Sequence, residues 1–146
     1  MKQILLILAV VALVGCASSK VVDKNEVEWI QSVSSDSKDR HLLGKVVYKG
    51  EPFTGIVETR KNGKLIKREQ FLNGEEHGLL EEYHDNGKIK VKAIVRTRAR
   101  GRGFITYNLE RKDWDEQGKL TREVKAEENG NVIYYMEDGK VEIDKR

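Results

Sequence analysis

A short phrase built on Gly-Lys recurs along this chain and constrains its fold more than any other feature. It reads Asn62-Gly63-Lys64-Leu65, Asn86-Gly87-Lys88-Ile89, Gln117-Gly118-Lys119-Leu120 and Asp138-Gly139-Lys140-Val141. Asn-Gly and Asp-Gly tolerate positive φ at both central positions of a type I′ turn, the tightest link between antiparallel strands. The flanking residues suit strands: Ile56-Val57 and residues 79–83, 89–95 and 132–136. Before the first two turns lies a further glycine pair, Gly50 with Gly55 and Gly74 with Gly78. The steps from Gly50 to Gly74 and from Gly63 to Gly87 are both 24 residues, and Gly55 to Gly78 is 23, so the unit repeats. Gly130, Tyr135 and Gly139 keep the spacing of Gly78, Tyr83 and Gly87. The third unit is longer, with 15 residues from Gly103 to Gly118, which predicts an insertion or bulge in residues 108–113. The expected fold is all-β: a single-layer antiparallel β-meander of repeated hairpins over residues 41–146, open and not closed into a barrel.

The chain begins differently. Lys2 precedes an unbroken apolar run over residues 4–14. As a helix that run is about 16 Å long, against roughly 30 Å of bilayer hydrocarbon, so residues 1–15 read as a signal peptide and not as a membrane span. The run closes on Leu13-Val14-Gly15-Cys16, which resembles the lipobox of bacterial lipoproteins. The resemblance implies a diacylglyceryl group on the Cys16 sulfur, cleavage before Cys16, and acylation of the new amine by a fatty acid such as palmitate. Acyl chains contribute about 0.8 kcal/mol per buried methylene, enough for attachment that hardly reverses. Residues 16–40 would then be a lipidated tether and capping segment, polar over residues 32–38, with Trp29 covering one end of the sheet. Ala17 follows the cysteine where retention at an inner membrane would favour aspartate. The expected address is the cell envelope, and the outer membrane where a cell has two.

Composition argues against catalysis. Cys16 is the single cysteine, so neither an intramolecular disulfide nor a thiolate metal cluster can form. His41, His77 and His84 have no metal-ligand spacing. The serines cluster in the tether, where no base is held beside them. Glu75-Glu76 falls on a turn and Glu81-Glu82 on opposite strand faces, which leaves no acid–base pair. No glycine loop leads into a helix to cradle phosphate. The expectation is a protein that is not an enzyme and takes no metal or cofactor. Charged residues make up 35% of the chain, but its net charge is only +3, and loss of Lys2 brings it nearer to balance. That gives no reason to expect nucleic acid. Phe53, Phe71 and Tyr83 are expected to supply the core between neighbouring hairpins.

Residues 48–55 (Tyr-Lys-Gly-Glu-Pro-Phe-Thr-Gly) and 73–88 (Asn-Gly-Glu-Glu-His-Gly-Leu-Leu-Glu-Glu-Tyr-His-Asp-Asn-Gly-Lys) resemble a known repeat. They are similar to the variant membrane-occupation-and-recognition-nexus (MORN) repeat of YwqK-family antitoxins. The match runs over residues 44–95 and more weakly over 114–143. The resemblance implies a β-meander used for binding, and a role in neutralising a toxin or organising partners at a membrane.

The least ordinary feature is cationic. Lys88, Lys90, Lys92, Arg96, Arg98, Arg100 and Arg102 all hold even positions, with no acid between Asp85 and Glu110. On a strand this spacing puts them on one face. A two-residue turn at Asn86-Gly87 would set Asp85 opposite Lys88, Tyr83 opposite Lys90 and Glu81 opposite Lys92. Arg96, Arg98, Arg100 and Arg102 have no such acids nearby and form the candidate anionic-surface site. The expected function is a membrane-anchored envelope lipoprotein acting as a protein-binding repeat module. Two alternatives are an antitoxin or immunity protein that neutralises a toxin, and a structural envelope component bound to anionic lipid or cell-wall polymer.

Overall fold

The computed structural model describes residues 19–30, 44–100 and 103–143, with the backbone alone at residues 99, 100, 103 and 104. The signal peptide, Cys16, His41 and Arg102 lie outside the described residues. The strands are β1 (Val21–Asp23), β2 (Val27–Trp29), β3 (Val46–Tyr48), β4 (Glu51–Pro52), β5 (Gly55–Lys61), β6 (Lys64–Leu72), β7 (Glu75–Tyr83), β8 (Ile89–Arg100), β9 (Gly103–Trp114), β10 (Leu120–Ala126), β11 (Val132–Glu137) and β12 (Lys140–Ile143). From β5 to β12 each strand pairs with the next, antiparallel, and β1 adds a parallel edge beside β5. The result is the expected meander, a nine-stranded sheet with strands in sequence order.

The turns fall into two classes. At Asn62-Gly63 and Asp138-Gly139 both residues take positive φ, 51° and 76° in the first, 47° and 79° in the second, as a type I′ turn requires. Lys49-Gly50 and Asn73-Gly74, read from sequence only as paired glycines, are turns of the same kind. Asn86-Gly87 and Gln117-Gly118 are not. There only the glycine is left-handed, and His84 with Lys88, and Asp115 with Lys119, close three-residue loops. Residues 127–131 repeat that loop around Gly130. Side-chain competition explains the difference. Asn86 Oδ1 accepts from the Lys88 amide at 2.9 Å, and Asp115 Oδ1 accepts from the Gln117 and Lys119 amides at 3.0 and 2.8 Å. Such bonds hold a right-handed turn that ends in a left-handed glycine bulge.

The extra loop residue moves the register. Tyr83 faces Ile89, Lys90 becomes an unpaired bulge, and the ladder recovers at Glu82 opposite Val91. The expected pairs Asp85–Lys88 and Tyr83–Lys90 therefore do not form, whereas Glu81 does face Lys92. The bulge anticipated in residues 108–113 is present, with Leu109 as its extra residue between Asn108 and Glu110.

A small sheet of β2, β3 and β4 covers the first strands of the large one, a second layer the repeat did not announce. Val46 and Phe53 pack there against Val22, Val57 and Phe71, with Val27 and Tyr48 at the margin. Trp29, expected to cover one end of the sheet, is 51% exposed and lines a 260 Å³ cleft with Val27, Val46 and Phe71. Gly55 lets the layers meet. A Cβ there would strike the Lys20 carbonyl oxygen and come within 2.7 Å of the Phe53 ring. A second core lies on the middle strand, where Val91, Ala93 and Val95 are buried against Leu80. Tyr83 is only half-buried, and its hydroxyl donates to Glu81 at 3.0 Å.

Candidate anionic-surface interface

The hairpin of β8 and β9 outgrows its neighbours. β7 pairs with β8 only as far as Val95, and β10 pairs with β9 only over residues 110–114. Residues 96–100 and 103–107 thus pair with each other and with no other strand among the described residues. The base of this arm is tied on both sides. Thr97 Oγ1 donates to the Glu76 carbonyl at 3.0 Å, and the Tyr107 hydroxyl donates to the Glu128 carbonyl at 2.6 Å.

The even positions of β8 share one face. Val91, Ala93 and Val95 are buried on the other, while Lys92, Ile94, Arg96 and Arg98 are exposed or half-exposed. Arg96 stands opposite Tyr107, and its Nη1 donates to the Val95 carbonyl at 3.0 Å. The Arg98 guanidinium lies 5.3 Å from the Tyr107 ring centre, a cation–π contact that holds it without neutralising it. Arg100 is the last residue of β8, opposite Gly103; its side chain, like the whole of Arg102, lies outside the described residues.

The lysines of the sequence stripe are used otherwise. Lys88 leaves the turn, and its Nζ donates to the Gln117 carbonyl at 3.1 Å. Lys90 sits at the bulge, and Lys92 pairs with Glu81 at 3.7 Å. That last pair belongs to a row of directly opposed residues crossing six strands: Glu58, Arg68, Glu81, Lys92, Lys112 and Glu123. Its contacts include Arg68–Glu58 at 2.7 Å, Arg68–Glu81 at 3.8 Å and Lys112–Glu123 at 3.3 Å. The carboxylates are its sheltered members, 12% exposed at Glu58 and Glu81. Hydrogen bonds from Arg68 and Arg60 hold the Glu58 carboxyl below its ordinary range, and the bond from Glu58 raises Arg68 in turn. Sequence reading gives only its Glu81–Lys92 rung, because the other registers depend on the bulges.

Strand direction sorts the termini and turns onto two rims. β5, β7, β9 and β11 run toward one rim, which therefore carries Gly63, Gly87, Gly118 and Gly139. β8 runs to the opposite rim, where the arm projects. β1 is parallel to β5, so the chain also enters from that opposite rim. There the Lys20 carbonyl accepts from the Ile56 amide at 2.7 Å, and Lys20 Nζ lies 3.5 Å from the centre of the Tyr48 ring. Four strand steps separate β1 from β8, or about 19 Å.

His84 Nε2 lies 2.8 Å from the Trp114 carbonyl oxygen. Among the described residues no three acidic or histidine side chains converge as a metal site. Comparison with protein-family models, with curated proteins and with solved structures returns no match for this chain.

Proposed function

We propose that this chain is a lipid-anchored envelope protein that acts as a binding module, with its arginine arm resting on an anionic membrane surface. One observation carries the reading: the entry of the chain at Lys20 and the arm bearing Arg96 and Arg98 lie on the same rim of the sheet. An acylated Cys16 would stand four residues before Lys20 in sequence, which brings that rim to the bilayer. The turn rim then faces away, and the sheet's faces stand clear for a protein partner. Charges near an anionic bilayer contribute about 1 kcal/mol each and act within a Debye length, so the arm needs this placement to work.

The test is fractionation of Cys16→Ser beside the wild type, with fatty-acid labelling. Loss of label and of membrane association is expected; a mutant that still labels and sediments with membranes removes the anchor from the reading. A second reading, an antitoxin or immunity protein, is favoured by the phrases at residues 48–55 and 73–88 that resemble MORN-variant antitoxins. A toxin held through apolar contacts would survive high salt in a crosslinked pull-down from membranes. A polyanion or lipid surface would be lost steeply as salt rises.

A further inference from the structure

The two edges of the nine-stranded sheet differ. At one end β1 is three residues long and turns at once into a 3-10 turn, Lys24–Glu26, fixed by reciprocal bonds between Asp23 and Glu26. At the other end β12 pairs with β11 over four residues without a bulge and has no strand on its outer side among the described residues. It contains no proline. An open, regular edge of this kind is a template for another strand.

From this edge we infer that two copies of the chain join through β12, antiparallel, about a two-fold axis at Val141. Hairpin geometry sets the direction of the backbone groups. Glu137 and Lys140 flank the two-residue turn and so form a hydrogen-bonded pair. Lys140 and Glu142 therefore bond inward to β11, while the amide and carbonyl of Val141 and Ile143 point to the open edge. Two Val141 residues placed face to face can exchange both bonds. The side chains then agree with the backbone. With the axis at Val141, Lys140 of each copy faces Glu142 of the other, so both charged pairs are complementary. Moving the axis to Glu142 would set two carboxylates directly opposite each other, which selects the first register.

The cross-strand row supplies a further reason. Beyond Glu123 the charge ladder continues as Met136 and then Val141. Met136 is buried, whereas Val141 and Ile143 are 54% and 60% exposed at the edge. A neutralised polar row thus turns apolar over its last two strands and ends exposed on the edge strand β12. Two-fold pairing joins Val141 to its counterpart and makes that row continuous between copies. Such an isologous contact closes on itself and gives a dimer, not a filament.

The test uses the full chain. Antiparallel hydrogen-bonded partners have Cα atoms about 5.5 Å apart, within reach of a disulfide. Val141→Cys should give a covalent dimer under mild oxidation, above the background set by Cys16 in the wild type. Ile143→Cys should not, because its two copies would sit about 13 Å apart along the strands. Lys140→Glu and Glu142→Lys should each weaken self-association in sedimentation by roughly tenfold, and the double exchange should restore it. A wild-type chain that stays monomeric, or the absence of a Val141→Cys crosslink, overturns the proposal. So does crosslinking of Val141→Cys only to chains carrying Val21→Cys, which would mean head-to-tail pairing with β1.

Discussion

The Lys88 ammonium donates to the main-chain carbonyl of Gln117 at 3.1 Å and so ties one turn of the sheet to the next. The relation recurs: Lys64 reaches the Asp85 carbonyl at 3.4 Å, and Asn86 Nδ2 donates to the Glu116 carbonyl at 3.0 Å. In the first two phrases the lysine is thus a staple between neighbouring turns, as suits a unit that must stack on itself. These bonds are exposed, and each contributes about 0.5 kcal/mol. Lys88→Met is expected to lower the midpoint of denaturation slightly and leave vesicle binding unchanged, since this rim lies opposite the arm. A loss of vesicle binding in Lys88→Met would contradict the assignment of rims.

Gly87 takes φ +83° with open space where a Cβ would be, so strain and not collision governs substitution there. Gly87→Val should cost about 1–2 kcal/mol, while Gly87→Asn should cost less because asparagine tolerates this conformation. Thermal unfolding of the pair checks this, and equal melting temperatures for Val and Asn would refute it. Gly63→Val should behave like Gly87→Val, although its turn is of the other class.

These two glycines mark how far the sequence could be read. The meander, its turn positions and the bulge at Leu109 follow from glycine spacing, because left-handed turn residues leave a local signature. Which turn forms does not follow, since Asn86 Oδ1 and Asp115 Oδ1 decide it by bonding to amides two and four residues on. The extra loop residue moves Tyr83 away from its expected partner, the bulge at Lys90 restores Glu81 opposite Lys92, and the other rungs from Glu58 to Glu123 depend on further bulges. The parallel β1 is three residues long and carries no period to recognise. The arginine stripe was legible by its even spacing. Its projection was not, because that depends on where β7 and β10 stop.

The ladder makes stability depend on pH. The Glu58 carboxyl is held below its ordinary 4.5 by Arg68 and Arg60, so its contribution is present above that value and fades as pH falls through the lower folded value. Glu58→Gln should therefore destabilise the protein at neutral pH, by about 1 kcal/mol, and flatten the acid limb of a melting-temperature profile. A parallel profile, shifted but not flattened, would show that the ionised carboxylate is not the source.

Glu76 has the opposite sign. Burial raises it above 4.5, with the Glu69 carboxylate adding to the effect. A folded acid that holds its proton more tightly than the unfolded chain gains stability in acid and costs stability as pH rises through its folded value. Glu76→Gln should then raise the melting temperature at neutral pH, and the gain should vanish below about pH 4. Equal melting temperatures at neutral pH would remove the burial penalty from this site.

The arm should govern contact with anionic membranes. Arg96 and Arg98 lie on an arm, residues 96–108, free of acids and on the same rim as the entry of the chain at Lys20, whereas Lys92 is already paired with Glu81. Four cations near an anionic bilayer could add about 4 kcal/mol at low ionic strength. Changing Arg96, Arg98, Arg100 and Arg102 together to glutamine is expected to weaken co-sedimentation of the unlipidated chain, residues 17–146, with anionic vesicles by roughly a hundredfold or more. The loss should shrink as salt approaches physiological strength, where the Debye length is about 8 Å. Glutamine at Lys88 and Lys90 should change little, because both belong to the opposite rim. Neutral vesicles should bind neither wild type nor variant. If the wild-type chain ignores anionic vesicles at low salt as well, the arginines serve a protein partner or a solvated edge, and the membrane-surface reading of the arm must be given up.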